Sequence, residues 1–131
     1  MIKSPLIAGV MTWGVWGKNL NTSEMVQRIN AFVSEGIITF DHADIYGGYS
    51  TEAVFGTALS ISKVRRDTIQ LISKCGIQHT TGNRPDNKVK HYDYSKEYII
   101  WSAENSLKNL KTDYLDVFLL HRPSPLLEPD E

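Results

Sequence analysis

The chain has 131 residues, 41% of them hydrophobic, with fourteen lysines and arginines against fifteen aspartates and glutamates and a net charge of −1. That length supports one domain, 1–131, with a genuine core, and the near-neutral balance gives no basic track for nucleic acid and no polybasic anchor for a membrane. A small-molecule partner is therefore the default, and the lone Cys75, with no disulfide framework and no metal-binding cysteine pair, points to a reducing compartment, the cytoplasm.

At the amino terminus, MIKSPLIAGVMTWG carries a short apolar run broken by Gly9 and lacks both a cleavage signature and a long apolar span. Leu6 to Met11 predicts the first strand, and Thr12-Trp13-Gly14 a loop at its end. Trp13 and Trp16 follow that strand end, where an aromatic wall of a pocket competes with simple core packing. Asn21 with Glu24 three residues later reads as a capping box, and Met25, Ile29, Phe32 and Val33 recur at helical spacing up to Gly36.

The apolar segment Ile37 to Phe40 predicts the second strand, ending at Asp41, with a loop opened by Gly47 and Gly48. A second helix capped by Ser50 or Thr51 would present Ala53, Val54, Ala58 and Leu59 to the sheet, and Gly56 would permit a close approach to it. Glu52 falls in the first turn, where the helix dipole alone favours an acid.

Lys63 to Asp67 predicts a charged turn, and Ile69 to Ser73 a third strand that stops at Lys74. From Cys75-Gly76 to Tyr94 there is no periodicity, so a long loop is expected, with His79 and His91 as loop histidines. Ser95 caps a third helix with Ile99, Ala103, Leu107 and Leu110 on its apolar face. Leu115 to Leu120 predicts the last strand, which stops at His121, and Pro123, Pro125 and Pro129 make the tail irregular.

The order is β-α-β-α-β-α-β, an α/β pattern. Strands that read as continuous apolar runs belong to parallel sheets covered by helices, and such sheets place ligands at the carboxyl ends of their strands. Asp41, Lys74 and His121 should therefore share one face. Four βα strands are half of a (β/α)8 TIM barrel, whose usual length is about 250 residues.

Four separated motifs carry a family resemblance: GVMTWG at 9–14, FDHADIYGGYSTEAVFG at 40–56, LISKCG at 71–76 and YLDVFLLHRP at 114–123. In that order they resemble the aldo-keto reductases, and the match implies the N-terminal half of that family's barrel. The resemblance further implies NADPH-dependent reduction of an aldehyde or ketone, a small carbonyl substrate, and a tetrad of Asp41, Tyr46, Lys74 and His121. A hydride arriving at a carbonyl carbon leaves negative charge on oxygen, so the site needs a proton donor within reach. Tyr46 would be that donor, with Lys74 easing its proton release, Asp41 aiming Lys74, and His121 bonding the carbonyl oxygen.

By the same resemblance Trp13 would line the substrate pocket, and Thr12 and Asp41 would approach the nicotinamide. His42 stands where a small residue is more familiar, and Arg122 where many members have tryptophan. With half a barrel and unpaired edge strands expected, the chain reads as a truncated or partial reductase or as a half-barrel that pairs with a second half-barrel chain. Two other readings remain. One is a reductase-like interaction module without catalysis; the other is a metal-dependent hydrolase using His42, Asp44 and His121, for which Lys74 and Tyr46 would lack a task. No metal site is expected.

Overall fold

A computed structural model describes residues 4–128. Four parallel strands form its centre: β1 (Ile7–Gly9), β2 (Thr39–Asp41), β3 (Gln70–Cys75) and β6 (Val117–Leu120), hydrogen-bonded in the order β1-β2-β3-β6. The pairing runs Gly9 to Asp41, Asp41 to Ile72 and Lys74 to Leu119. Sequential neighbours joined through helices are what right-handed βα units produce. The expected parallel arrangement is the one observed, with strands whose ends fall within two residues of those of the apolar runs. Pro129 lies outside the described residues.

Helix α1 (Thr22–Ser34) starts at the expected capping box: Asn21 Oδ1 accepts from the Glu24 amide at 3.0 Å, and a Glu24 carboxylate oxygen accepts from the Asn21 amide at 2.9 Å. Met25 and Ile29 are wholly buried beneath it. Helix α3 (Thr51–Ser62) follows a single turn, α2 (Tyr46–Tyr49), and packs between α1 and α4 (Lys96–Leu110). Its inward side differs from expectation. Phe55, Ala58, Leu59, Glu52 and Thr51 are buried, whereas Ala53 and Val54 are exposed. Gly56 serves helix–helix contact, because a Cβ there would stand 2.2 Å from the Asn109 carbonyl oxygen at the end of α4.

Helix α4 is capped as expected, with Ser95 Oγ accepting from the Tyr98 amide at 3.3 Å. Its fully buried positions are Ser102, Ser106 and Leu110, so the buried stripe contains two of the helix's small polar residues; Ile99, Ala103 and Leu107 are only partly covered. The charged turn before β3 contains a single 3₁₀ turn, Arg66–Thr68. Residues 76–94, expected as a loop, contain a short antiparallel hairpin of β4 (Ile77–Gln78) and β5 (His91–Tyr92). Two-residue strands are too short to leave an alternating pattern in the sequence.

Between helices and sheet lies an aromatic core in which Phe40 and Phe55 are wholly buried, 5.3 Å apart. Burial of such side chains contributes roughly 1.5–3 kcal/mol each. Among the described residues, no helix is long and apolar enough to cross a membrane.

Candidate active site

Asp41 is the last residue of β2, Lys74 lies near the end of β3, and His121 follows β6 directly. Adjacent parallel strands in this register bring their carboxyl ends to one rim. There Lys74 Nζ lies 2.7 Å from Asp41 Oδ1, 2.7 Å from the His42 carbonyl oxygen and 3.3 Å from Tyr46 Oη. An ammonium has three hydrogens, so these three acceptors use its full donor capacity and fix its direction. Both members of the ion pair are largely buried, with side-chain exposures of 14% for Lys74 and 26% for Asp41.

Tyr46 reaches this point because the chain turns sharply behind it. Gly47 and Gly48 both adopt left-handed backbone, with φ of 63° and 62°, a conformation that costs glycine little and β-carbon residues more. Asp44 anchors the same loop from below: its Oδ2 accepts from Tyr98 Oη at 2.8 Å and from Ser102 Oγ at 3.1 Å, both on α4. Burial raises the Asp44 carboxyl above the ordinary aspartate range, against the lowering effect of those two hydrogen bonds and of Arg84.

The rings of Tyr46 and His121 face each other edge-on, with centroids 6.2 Å apart. Burial, with the nearby cations Lys74 and Arg122, pushes the His121 imidazole below its ordinary range, opposed by Asp41. The ring is thereby kept neutral at physiological pH, with one N–H to donate. Its Nδ1 is buried and has no hydrogen-bond partner.

A cavity of about 320 Å³ opens over this pair, walled by Met11, Trp16, Ile45 and Ile77 and rimmed by His79, Lys90 and Arg122. Its size falls within the range of small-molecule sites. Asp41, Tyr46, Lys74 and His121 are thus gathered at one rim, but Trp13 is elsewhere. It is 4% exposed and packs in the core against Phe32, Phe40 and Phe55, with Arg28 over its ring; Trp16 is the tryptophan that lines the cavity. Thr12 is exposed in the turn beyond β1, two residues past Val10, whose amide donates to the Asp41 carbonyl oxygen at 3.2 Å.

His79 is outside the strands, as expected of a loop histidine, whereas His91 lies in β5. The backbone amide of His79 donates to Tyr49 Oη at 2.8 Å, and Arg84, stacked over both Tyr49 and Trp101, clamps the hairpin segment to the body. Nothing periodic in the sequence foretells these contacts, which join side chains far apart in the chain. Trp16, by contrast, stood at a legible strand end.

His42 and Asp44 do not converge with His121 on a common point. Among the described residues no group of three or more histidine, cysteine, aspartate or glutamate side chains is arranged to hold a metal. His42 instead buries its ring against Phe55, with centroids 4.3 Å apart.

The family model described as the aldo/keto reductase family matches residues 5–131. The chain belongs to the aldo/keto reductase family. It is 45% identical over 127 residues to the oxidoreductase YcsN of Bacillus subtilis (strain 168), covering 97% of this chain and 42% of that protein. It is 40% identical over 125 residues to a 6-dehydroglucose reductase of Agrobacterium fabrum, covering 92% and 42% respectively. Among solved structures, the holo form of the aldo-keto reductase AKR11C1 from Bacillus halodurans superposes with a TM-score of 0.70 at 31% identity, over 88% of this chain and 35% of that one. The chain spans about two fifths of the length of the curated relatives it matches, and its four parallel strands with their helices are part of the family's (β/α)8 barrel.

Proposed function

We propose that this protein reduces the carbonyl group of an aldehyde or ketone to an alcohol, using NADPH, with Tyr46 as the proton donor. The observation that carries the reading is the three-point hold on Lys74, which leaves its ammonium 3.3 Å from the Tyr46 hydroxyl beside a cavity that Tyr46 and His121 share. Relatives named as oxidoreductases and as a 6-dehydroglucose reductase support the reaction class.

The residues fit the reactive end of a nicotinamide cofactor: the half-buried Asp41 and the exposed Thr12 flank the strand-end rim, and the orphaned Nδ1 of His121 leaves capacity for a polar oxygen in the cavity. When bound, that cofactor supplies the hydride. Tyr46 Oη gives its proton to the carbonyl oxygen, and Lys74 stabilises the phenolate that remains. At 3.3 Å and an effective dielectric constant of about 20, that attraction amounts to roughly 5 kcal/mol, reduced by the opposing field of Asp41. Asp41 keeps the ammonium aligned, and neutral His121 donates a second hydrogen bond to the oxygen.

The edges of the sheet at β1 and β6 are where further strands would close a barrel, from the same polypeptide or from a second half-barrel chain. A cytoplasmic setting suits the buried free thiol of Cys75, pushed up to about 12 chiefly by burial and therefore inert. Incubation with an aldehyde and NADPH deuterated at the transferable position tests the reaction. Deuterium on the alcohol carbon is expected; an unlabelled alcohol, or no alcohol, would contradict the proposal.

A further inference from the structure

The rim of the cavity over Tyr46 carries one sign of charge. Lys90, from the hairpin segment, and Arg122, in the turn after β6, both line it, and His79 adds a third nitrogen-bearing side chain. No aspartate or glutamate is among the lining residues. Asp41 is already paired with Lys74, and Asp44 is engaged by Tyr98 and Ser102 on α4. Neither Lys90 nor Arg122 forms an ion pair among the described residues. His79 has a buried Nδ1 without a hydrogen-bond partner, so the rim also contains unused polar capacity.

Four other lining side chains are apolar: Met11, Trp16, Ile45 and Ile77. The cavity lining therefore combines the reacting pair Tyr46 and His121, four apolar side chains and two exposed cations, Lys90 and Arg122. A neutral carbonyl compound would leave both lining cations, Lys90 and Arg122, without a counter-charge from the described residues of the lining. A carbonyl compound bearing an anion would have a partner in each of these three kinds of lining group.

We infer that the substrate is an anionic carbonyl compound, a short aldehydo or keto acid or its phosphorylated counterpart, held by Lys90 and Arg122 while its carbonyl meets Tyr46 and His121. This rests on the carbonyl-reductase reading above and adds the substrate class to it. Arginine can take a carboxylate or phosphate through two parallel hydrogen bonds, and lysine acts as a point charge. Both cations are exposed and screened, so each is expected to change affinity by only a few-fold.

Calorimetric titration separates this inference from the reaction itself, because it requires no turnover. The probes are 4-carboxybenzaldehyde and the neutral, similarly sized 4-(hydroxymethyl)benzaldehyde, each titrated into the protein alone and with the oxidised cofactor NADP⁺, which cannot reduce them. The anionic probe is expected to bind about tenfold more tightly at low salt, with the preference shrinking as salt is raised. In a Lys90→Gln/Arg122→Gln variant the ratio of the two affinities should fall about tenfold, and Lys90→Arg should retain it.

Equal affinities for the two probes in the unmodified protein, or a ratio untouched by the double substitution, would overturn the inference. A double variant that weakens NADPH while leaving the probe ratio intact would assign the cations to the cofactor's phosphates and would also overturn it. Absence of alcohol formation alongside a salt-sensitive preference for the anionic probe would refute the reductase reading and sustain the anion site.

Discussion

Replacing His42 with leucine should remove acid sensitivity from the fold between about pH 7 and pH 5. The ring is wholly buried, neither nitrogen has a partner, and burial followed by the charge of Lys74 lowers its pKa from 6.5 to about 3. In the folded protein His42 stays neutral, whereas the unfolded chain takes up a proton as pH falls below 6.5. Stability is thus fully present above 6.5, lost as pH falls, and exhausted near 3. At 1.36 kcal/mol per pH unit the whole window is worth about 5 kcal/mol, of which about 2 kcal/mol falls between pH 7 and pH 5.

Asp44 and Glu52 act in the opposite sense. Burial raises both carboxyls, so their contribution is present below about pH 4 and declines as pH rises through their folded values. Wild type alone therefore shows a sum. Comparing wild type with His42→Leu by urea unfolding at each pH cancels the carboxylates. The leucine variant should gain about 2 kcal/mol on wild type in going from pH 7 to pH 5. Parallel pH dependences in the two proteins would refute the placement of a neutral imidazole against Phe55.

Three further outcomes follow from the same contacts. Tyr98→Phe removes a 2.8 Å hydrogen bond to the buried Asp44 carboxylate and should cost about 1.5–3 kcal/mol in urea unfolding at neutral pH. Gly56→Ala puts a methyl 2.2 Å from the Asn109 carbonyl oxygen and 2.7 Å from the Leu110 backbone, neither of them a flexible side chain; a loss of about 1–3 kcal/mol or more in thermal unfolding is expected. Glu52→Gln keeps a polar partner for Ser73 Oγ, now 2.6 Å from Glu52 Oε1, but removes the titration of a carboxyl that burial raises, so its stability relative to wild type should rise as pH is raised above the ordinary glutamate range in the same urea assay.

What could be read in the sequence was what repeats or what sits at a boundary. Three apolar runs stop at Asp41, Lys74 and His121, and in a parallel sheet a strand end is also an address, so the rim is legible in the sequence itself. The capping box at Asn21 and Glu24 was equally local. Misread features were those set by distant neighbours. Helix α4 buries Ser102 and Ser106 more deeply than Ile99 and Leu107, and Ser102 supplies a hydroxyl to Asp44, a residue 58 positions earlier. Trp13 and Trp16 differ in nothing local that decides which ring turns inward; the choice is made by Phe32, Phe40 and Phe55. His79 follows and Lys90 precedes strands of only two residues each, below the length at which alternation shows.

The most direct test of the central claim is the rate of aldehyde reduction by Tyr46→Phe beside that of the wild type, with NADPH consumption and alcohol formation both followed. The substitution removes one oxygen and leaves the ring that faces His121 in place. Loss of the proton donor should lower kcat by about 10²- to 10⁴-fold, with NADPH binding, read by cofactor fluorescence, unchanged within twofold. A Tyr46→Phe protein that reduces the aldehyde as fast as the wild type would show that the proton comes from elsewhere, and the roles given to Lys74 and Asp41 would fall with it.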